Sequence, residues 1–470
     1  MIISDCRHTA LTVLVDSQAN KVVLDQSLNK FSNDLDKLSK QDRALANSII
    51  FGTLRFRAKI DWIITHFSNK KIKTIDSVVI WAIRIALFQI IFLDKIPISA
   101  AVNTAVNIVK TRAGQGAANF TNAVLRKASK NHGTILLPDK TKEPALFLSI
   151  DKSLPLWLAK RWIKRYGLNK SLEMGDAINR IPVITIRANT LKIDRQTLFK
   201  LMENHVKNIC FTEYAKDGIS FTNPAIPIHE HGCYKKGLFQ VQDEAAQIVT
   251  TLLAPEPGES ILDVCAGNGG KTAHAAQLMA DKGIIIATDT SGKRLNNLDN
   301  EIKRLSLKII KTKQMNILKQ MDKPFENMVT DHDLNNGFDK VLLDAPCTGL
   351  GVLRRNPDTR WNKSLKDIKR LAAKQKRLLS KASEFVRPGG ILLFAVCSSE
   401  PEENEYVIKD FLKQHNNFKI DPSMRKSQVY NNKGSSLPDP SFFTDSGFFK
   451  SFPNAPLMDG FFAARLIKQK

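Results

Sequence analysis

The chain has 470 residues, 43% of them hydrophobic and 25% charged, which is too long for one hydrophobic core and too apolar for global disorder, so two or three domains are expected. Seventy basic side chains against forty-six acidic ones give a formal charge of +24, and a polyanion such as RNA is the natural partner, because each neutralised phosphate releases counterions. Six cysteines, at 6, 210, 233, 265, 347 and 397, are too scattered for a zinc cassette, so no metal is expected, and without a secretory leader they read as reduced thiols of a cytoplasmic protein.

Residues 1–140 hold 20 basic and 10 acidic side chains. Apolar positions recur there at helical spacing, as in Ala44, Leu45, Ile49, Ile50 and Leu54, then Val78, Val79, Trp81, Ala82, Ile85, Leu87 and Phe88, then Ala101, Val102, Ala105, Val106 and Val109. An all-helical domain is predicted. Ile75 to Leu93 is apolar enough to raise a membrane span, but Arg84 stands in its middle. A charge at a bilayer centre costs about 2.5 kcal/mol or more, so the stretch reads as a soluble helix with Arg84 turned outward, and no membrane partner is expected. Ser99 is placed to cap the next helix, and the Gly114-Gln115-Gly116 turn separates it from a last one through Phe120, Val124 and Leu125. Arg55, Arg57, Lys110, Arg112, Arg126 and Lys127 are expected to face outward, where they can hold phosphates.

Residues 131–148, with Gly133, Pro138 and Pro144, read as a linker. Residues 141–240 then read as linker plus a small α/β, RRM-like RNA-binding module: a helix from Leu156 to Tyr166, a strand from Val183 to Asn189 and a helix from Arg195 to Met202. From 241 to 470 the pattern is short apolar strand, glycine turn, helix. The strands are Ser260 to Val264, Ile284 to Thr288, Lys340 to Leu343 and Ile391 to Val396, with helices Lys271 to Met279, Lys293 to Arg304 and Leu365 to Val386 between them. This alternation predicts a mostly parallel, Rossmann-like sheet covered on both faces, whose ligands lie beyond the carboxyl ends of the strands.

The first of these strands ends in Asp263-Val264-Cys265-Ala266-Gly267-Asn268-Gly269-Gly270-Lys271. Its glycines allow a tight turn and a close backbone approach, and the free amides of the next helix favour an anion. A triphosphate loop is excluded, because its first glycine would fall on Cys265. Asp289 ends the second strand, 22 residues after Gly267, where a carboxylate can accept both ribose hydroxyls of NAD or of S-adenosyl-L-methionine. Asp344-Ala345-Pro346-Cys347 and Cys397-Ser398-Ser399-Glu400-Pro401-Glu402-Glu403-Asn404 follow two further strands. Two thiols at one sheet edge suit attack on an electron-poor ring, which hydride transfer does not need. A thiolate added at C6 of cytosine places electron density on C5, and an acid beside the ring, Asp344, neutralises the charge that develops.

Asp344-Ala345-Pro346-Cys347 and Cys397-Ser398-x-x-Pro401-Glu402-Glu403-Asn404 resemble the fourth and sixth motifs of the RNA cytosine-5 methyltransferases of the NOL1/NOP2/Sun group. Asp263-x-Cys265-Ala266 with Gly269-Gly270-Lys271 is similar to their first motif, and Asp459-Gly460-Phe461-Phe462 to their closing segment. Asn103, Ala105, Val106, Gly114-x-Gly116 and Phe120-x-Asn122-Ala123-Val124-Leu125-Arg126 resemble a NusB-like domain. The resemblance spans nearly the whole chain and implies a NusB-like helical RNA-binding domain over 1–140 and a methyltransferase catalytic domain over 241–470. It also implies methylation of cytidine 967 of 16S rRNA, free or in a partly assembled small ribosomal subunit, with no protein partner identifiable. In that family pattern Cys397 is the nucleophile, Cys347 assists release and Asp344 contacts the base and lies near the cofactor. Cys265, Ala266, Gly267, Asn268, Gly269, Gly270 and Lys271 surround the methionine part of S-adenosyl-L-methionine, and Asp289 holds its ribose. The chain departs from the pattern at Gly267-Asn268 (Ala-Pro in the family), Val396 (Thr) and Asn356 (His). Asn316 stands where an acid for the adenine side is expected, with Asp331 and Asp333 nearby in a longer segment. The motifs do not encode the RNA address, so another rRNA site or a tRNA remains open, as do a silent RNA-binding module and a nicotinamide enzyme.

Overall fold

The computed structural model describes residues 5–20, 22–319, 325, 336–422, 440–451 and 458–470. The chain forms two compact units: residues up to Ile181 with Leu353–Ser364, and Pro182–Val352 with Leu365–Lys470.

The first unit is helical. Its described helices are α1 (Cys6–Ala19), α2 (Leu24–Lys30), α3 (Ser32–Asp36), α4 (Lys40–Arg55), α5 (Arg57–Ser68), α6 (Ser77–Phe92), α7 (Ile98–Asn131), α8 (Pro144–Asp151) and α9 (Leu156–Asn179). The Asp76 carboxylate caps α6 by accepting from the amides of Val78 and Val79. Every residue from Val79 to Gln89 is buried, so α6 is the central helix, apolar all round. Arg84 does not turn outward as the sequence suggested. It is 1% exposed, its Nε and one terminal nitrogen reach the Asp61 carboxylate at 2.7 and 2.9 Å, and it stacks on Trp81. A fixed bidentate partner on α5 makes burial tolerable where exposure would break the apolar surround. The expected turn is present inside α7, where Gly114 has φ 86°.

Two further expectations change. Pro144, read as linker, opens α8, whose Leu148 and Ile150 are buried. The compact unit that holds the amino-terminal helices also takes in α8 and α9, to Ile181. Arg55 and Arg57, read as outward, are also drawn in. Arg55 is 6% exposed and donates to the carbonyl of Arg354, and Arg57 lies over the rings of Trp81 and Trp361. Lys110, Arg112, Arg126 and Lys127 are exposed as expected.

Residues 353–364 come from the middle of the carboxyl-terminal half of the sequence, yet they pack in this unit. Arg360 is fully buried and donates to the carbonyls of Arg55, Ser153, Ile178 and Leu353 and to the side-chain oxygen of Asn179. The Trp361 indole donates to Leu54 O at 2.7 Å, and Asp358 accepts from the amide of Leu24.

The second unit holds two sheets. The smaller comprises β1 (Ile184–Ala188), β2 (Lys207–Phe211), β3 (Gly218–Thr222) and β4 (Phe239–Val241) in the antiparallel order β2-β3-β1-β4. Helix α10 (Arg195–Met202) covers one face, burying Ile186, Ala188, Leu198, Met202, Ile219, Phe221 and Phe239. A short helix, α11 (Gly232–Lys235), precedes β4.

The larger sheet is built from β5 (Ser260–Asp263), β6 (Ile284–Asp289), β7 (Ile310–Gln314), β8 (Phe338–Asp344), β9 (Val386–Val396), β10 (Phe418–Ile420), β11 (Phe449–Lys450) and β12 (Phe462–Lys468). Their order is β10-β12-β9-β8-β5-β6-β7, with β11 beside β12. Strands β5 to β9 are parallel, while β10 to β12 pair antiparallel. Helices α12 (Glu244–Leu253), α13 (Gly270–Leu278), α14 (Gly292–Leu305), α15 (Thr359–Asn362, in the helical unit), α16 (Leu365–Glu384) and α17 (Glu405–Gln414) complete the set. Leu262, Ile286, Val341, Leu343, Leu392 and Phe394 form one buried face and Ile261, Ile285, Leu342 and Leu393 the other, at roughly 1.5–3 kcal/mol for each large side chain. Strand β5 pairs with β6 on one side and β8 on the other, so the chain order reverses there. The reversal opens a crevice beyond the ends of β5, β6 and β8, and this is where sheets of this kind bind ligands.

Candidate active site

The loop leaving β5 turns through Gly267 (φ 59°) and Gly269 (φ 80°). A side chain on Gly269 would meet Leu298 at 2.1 Å, so glycine is required there by conformation and space alike. Helix α13 starts at Gly270 without a side-chain cap, leaving first-turn amides available to an anion. Around Gly267 there is open space. Asp263, under the loop, accepts from the Thr272 hydroxyl at 2.7 Å, and burial pushes its carboxyl up to about 7. Burial likewise pushes the Cys265 thiol up to about 12, which makes it a wall of the loop and not a reactive sulfur. Asn268 is exposed, and the amide of Ala266 donates to Thr288 O.

Asp289, 6% exposed at the end of β6, accepts the amide of Gly267 at 3.1 Å on one oxygen and that of Ser291 at 2.8 Å on the other. It is therefore fixed against the loop, with a lone pair on each oxygen to spare for hydroxyl donors. Asn316 is exposed after β7 and accepts from the amide of Leu318. Asp331 and Asp333 lie outside the described residues.

Strands β8 and β9 are parallel neighbours, with Asp344 opposite Ala395, so the segments that follow them arrive side by side. Cys347 Sγ and Cys397 Sγ are 3.3 Å apart. Both are free thiols, half-buried. The hydrogen bond with Cys397, together with burial, raises Cys347 well above the usual thiol range, so Cys347 keeps its proton. Lys271 Nζ sits 2.6 Å from Asp344 Oδ2 and lies over the Phe461 ring. Burial alone would lower the lysine, but Asp344 outweighs it and the net shift is upward, with Cys397 adding in the same direction.

A buried carboxylate holds the two cysteine segments together. Glu403 accepts from the amide of Thr348 at 2.8 Å, from the hydroxyls of Thr348 and Ser398, and from the Gln375 amide at 3.2 Å. Gly351 closes the far side: its amide donates to Cys397 O at 3.0 Å and its carbonyl accepts from the amide of Gly460 at 2.9 Å. A Cβ on Gly351 would lie 1.9 Å from Gly460 O.

The structure thus gathers the loop 265–271, Asp289, Asp344, Cys347 and Cys397 at the carboxyl edge of one sheet. Sequence reasoning placed Lys271 only among the loop residues and missed its ion pair with Asp344. It also left Glu403 as one acid in an acidic run, since the run does not say which member turns inward.

Residues 250–467 match the family model described as 16S rRNA methyltransferase RsmB/F, residues 4–130 that of the NusB family, and residues 154–229 that of the RsmF/B-like ferredoxin-like domain. With the reversed parallel sheet and its glycine loop, these matches define a Rossmann-like methyltransferase that carries a NusB domain and a ferredoxin-like module. Over 472 residues the chain is 33% identical to the "Probable ribosomal RNA small subunit methyltransferase B" of Bacillus subtilis, covering 99% of each. It is 31% identical to Ribosomal RNA small subunit methyltransferase B of Escherichia coli, covering 94% of this chain and 95% of that one. Among solved structures it is similar to PH0851, with TM-score 0.80 and 25% identity over 100% of this chain and 99% of that one. It is also similar to NSun6 from Pyrococcus horikoshii with SFG, with TM-score 0.53 and 25% identity over 66% of this chain and 97% of that one. The chain belongs to the ribosomal RNA small subunit methyltransferase B family.

Proposed function

We propose that the protein methylates C5 of a cytidine in 16S rRNA, cytidine 967 being the preferred base, using S-adenosyl-L-methionine and a temporary covalent bond from Cys397 to C6. The observation that carries this reading is the 3.3 Å approach of the Cys347 and Cys397 sulfurs, with Asp344 at the end of β8 paired to Lys271 of α13.

The cofactor fits the residues present. The glycine loop offers open space and free helix amides to its carboxylate, and Asp289 offers two fixed acceptors to its ribose. When bound, it supplies an electrophilic methyl group on a sulfonium.

Cytosine resists alkylation at C5 because its ring holds its electrons. Cys397, having lost its proton to solvent, adds through sulfur to C6, and the displaced electron pair moves into the ring. As that pair reaches N3 the ring takes up a proton there from solvent, and the Asp344 carboxylate, fixed by Lys271, accepts from N3–H and from the exocyclic amine; N3 releases the proton again when C5 is methylated. After C5 has taken the methyl group, its proton must go before the adduct can open. A water held by Cys347, or Cys347 once its own proton has been relayed away, receives it. The C5–H electron pair then forms the C5–C6 double bond, and the C6–S pair returns to Cys397.

The target base must leave its stack to reach the sulfurs. Lys110, Arg112, Arg126 and Lys127 of the NusB domain, exposed on α7, provide phosphate contacts that carry no sequence information.

The test is incubation of the purified protein with methyl-labelled S-adenosyl-L-methionine and bare 16S rRNA, followed by bisulfite mapping. Label in RNA with a protected cytosine at 967 is expected. Label at another rRNA position, or only in tRNA, rejects that address, and no label in any RNA favours a silent RNA-binding module.

A further inference from the structure

The smaller sheet has a second face, and it is polar yet buried. Strand alternation places Ile186 and Ala188 under α10 and puts Thr185 and Arg187 on the other side, with Ser220 of β3 and Gln240 of β4. Thr185, Arg187, Ser220 and Gln240 are each at most 5% exposed. An RRM-like sheet that bound RNA on this face would leave it open to solvent. Here the face is closed by the catalytic fold instead.

Arg187 is the centre of the closure. It is 0% exposed, and every acceptor it uses is neutral. Its Nε donates to the Gln277 side chain at 2.8 Å and one terminal nitrogen to Gln240 at 2.9 Å. The other terminal nitrogen donates to Gln242 and to the carbonyl of Gly270 at 3.2 Å. Gly270 is the first residue of α13 and Gln277 lies near its end. One guanidinium therefore grips the helix at both ends, and the end carrying Gly270 bears the glycine loop. Burial depresses the affinity of Arg187 for its proton, and His274, buried on the same helix and facing that charge, stays neutral.

Fully buried charges are rare unless they are paired with an opposite charge. The planar fork with five donors is what this geometry uses, and lysine cannot reproduce it.

We propose that Arg187 is a positioning residue for the cofactor loop: through the carbonyl of Gly270 and the side chain of Gln277 it sets the height and tilt of the first turn of α13, and thereby the affinity for S-adenosyl-L-methionine. This rests on the assignment of that cofactor to the loop. It gives the ferredoxin-like module a role in cofactor binding through its buried sheet face.

The test compares the full-length wild type with Arg187→Lys and with Gln277→Ala. Binding of S-adenosyl-L-methionine is measured by calorimetry, binding of 16S rRNA by filter retention, and amide exchange over residues 264–272 by mass spectrometry. Loss of the fork is expected to weaken cofactor binding about tenfold, the equivalent of one charge-assisted hydrogen bond. Exchange over 264–272 should rise while RNA affinity stays within twofold. Gln277→Ala should show the same pattern at about threefold, and it decides the matter if Arg187→Lys does not fold. A merely structural role would lower the melting temperature and leave the affinity of the folded protein unchanged, which would overturn the proposal. Failure of the wild type itself to bind the cofactor would instead overturn the assignment of the loop.

Discussion

Glu403 offers a prediction whose size follows from counting donors. Four converge on its two oxygens: the Thr348 amide and Gln375 on one, and the Thr348 and Ser398 hydroxyls on the other. Glu403→Gln keeps the shape and removes the charge. If its nitrogen takes the second position, both hydroxyls can rotate to become acceptors, so the loss is mainly that of charge assistance, about 2 kcal/mol. Glu403→Ala leaves the Thr348 amide and the Gln375 nitrogen without that acceptor and opens a void, at about 4 kcal/mol or more. The readout is hydrogen exchange of peptide 344–352, with a peptide of the helical unit around α8 as internal control. Protection over 344–352 should fall in the order wild type, Gln, Ala, with the control unchanged. Methyl transfer should fall in the same order, because Thr348 adjoins Cys347 and Ser398 adjoins Cys397. Equal and small effects of the two substitutions would refute the reasoning, since they would mean that the carboxylate does not organise the segment.

Asp61→Asn should lower the melting temperature of the helical unit by the equivalent of about 3 kcal/mol, because it leaves Arg84 buried without its counterion. A melting temperature unchanged in differential scanning calorimetry would show that the pair is not what permits the burial. Asp263 is raised in the fold to about 7, so the folded state binds more protons and stability declines as pH rises from about 4 to about 7, by up to a few kcal/mol. Asp263→Asn should accordingly gain more over wild type at pH 8 than at pH 5 in urea unfolding. A gain that does not vary with pH would contradict the assignment of that titration.

Much of the fold was legible because its signals are local. Helix α10 was read with its observed bounds, and the strands β5, β6, β8 and β9 were read as short apolar runs. The Gly114-Gln115-Gly116 turn reads as a break between two helices, and Gly114 indeed has φ 86° inside α7. The helix begun at Leu156 was stopped at Tyr166, whereas α9 resumes after Gly167 (φ 73°) and continues to Asn179, since a glycine break interrupts a pattern without ending the packing. The paired thiols were legible because both follow strands, and adjacent parallel strands deliver their carboxyl ends to one edge. What sequence could not give was the partner of each charge. Arg55, Arg84, Arg187 and Arg360 look like ordinary basic residues, and each is buried by acceptors that come together only in the fold. The helical unit's possession of residues 353–364 is non-local in the same way.

The central claim is the sulfur–carbon bond, and it is tested most directly by trapping it. Cys347→Ser incubated with S-adenosyl-L-methionine and 16S rRNA should accumulate a denaturant-resistant protein–RNA species, and digestion should map the nucleotide to the peptide containing Cys397. Cys397→Ser, alone or combined with Cys347→Ser, should form none. Methylated RNA accompanied by no such species in Cys347→Ser, or methyl transfer that survives in Cys397→Ser, would contradict the account.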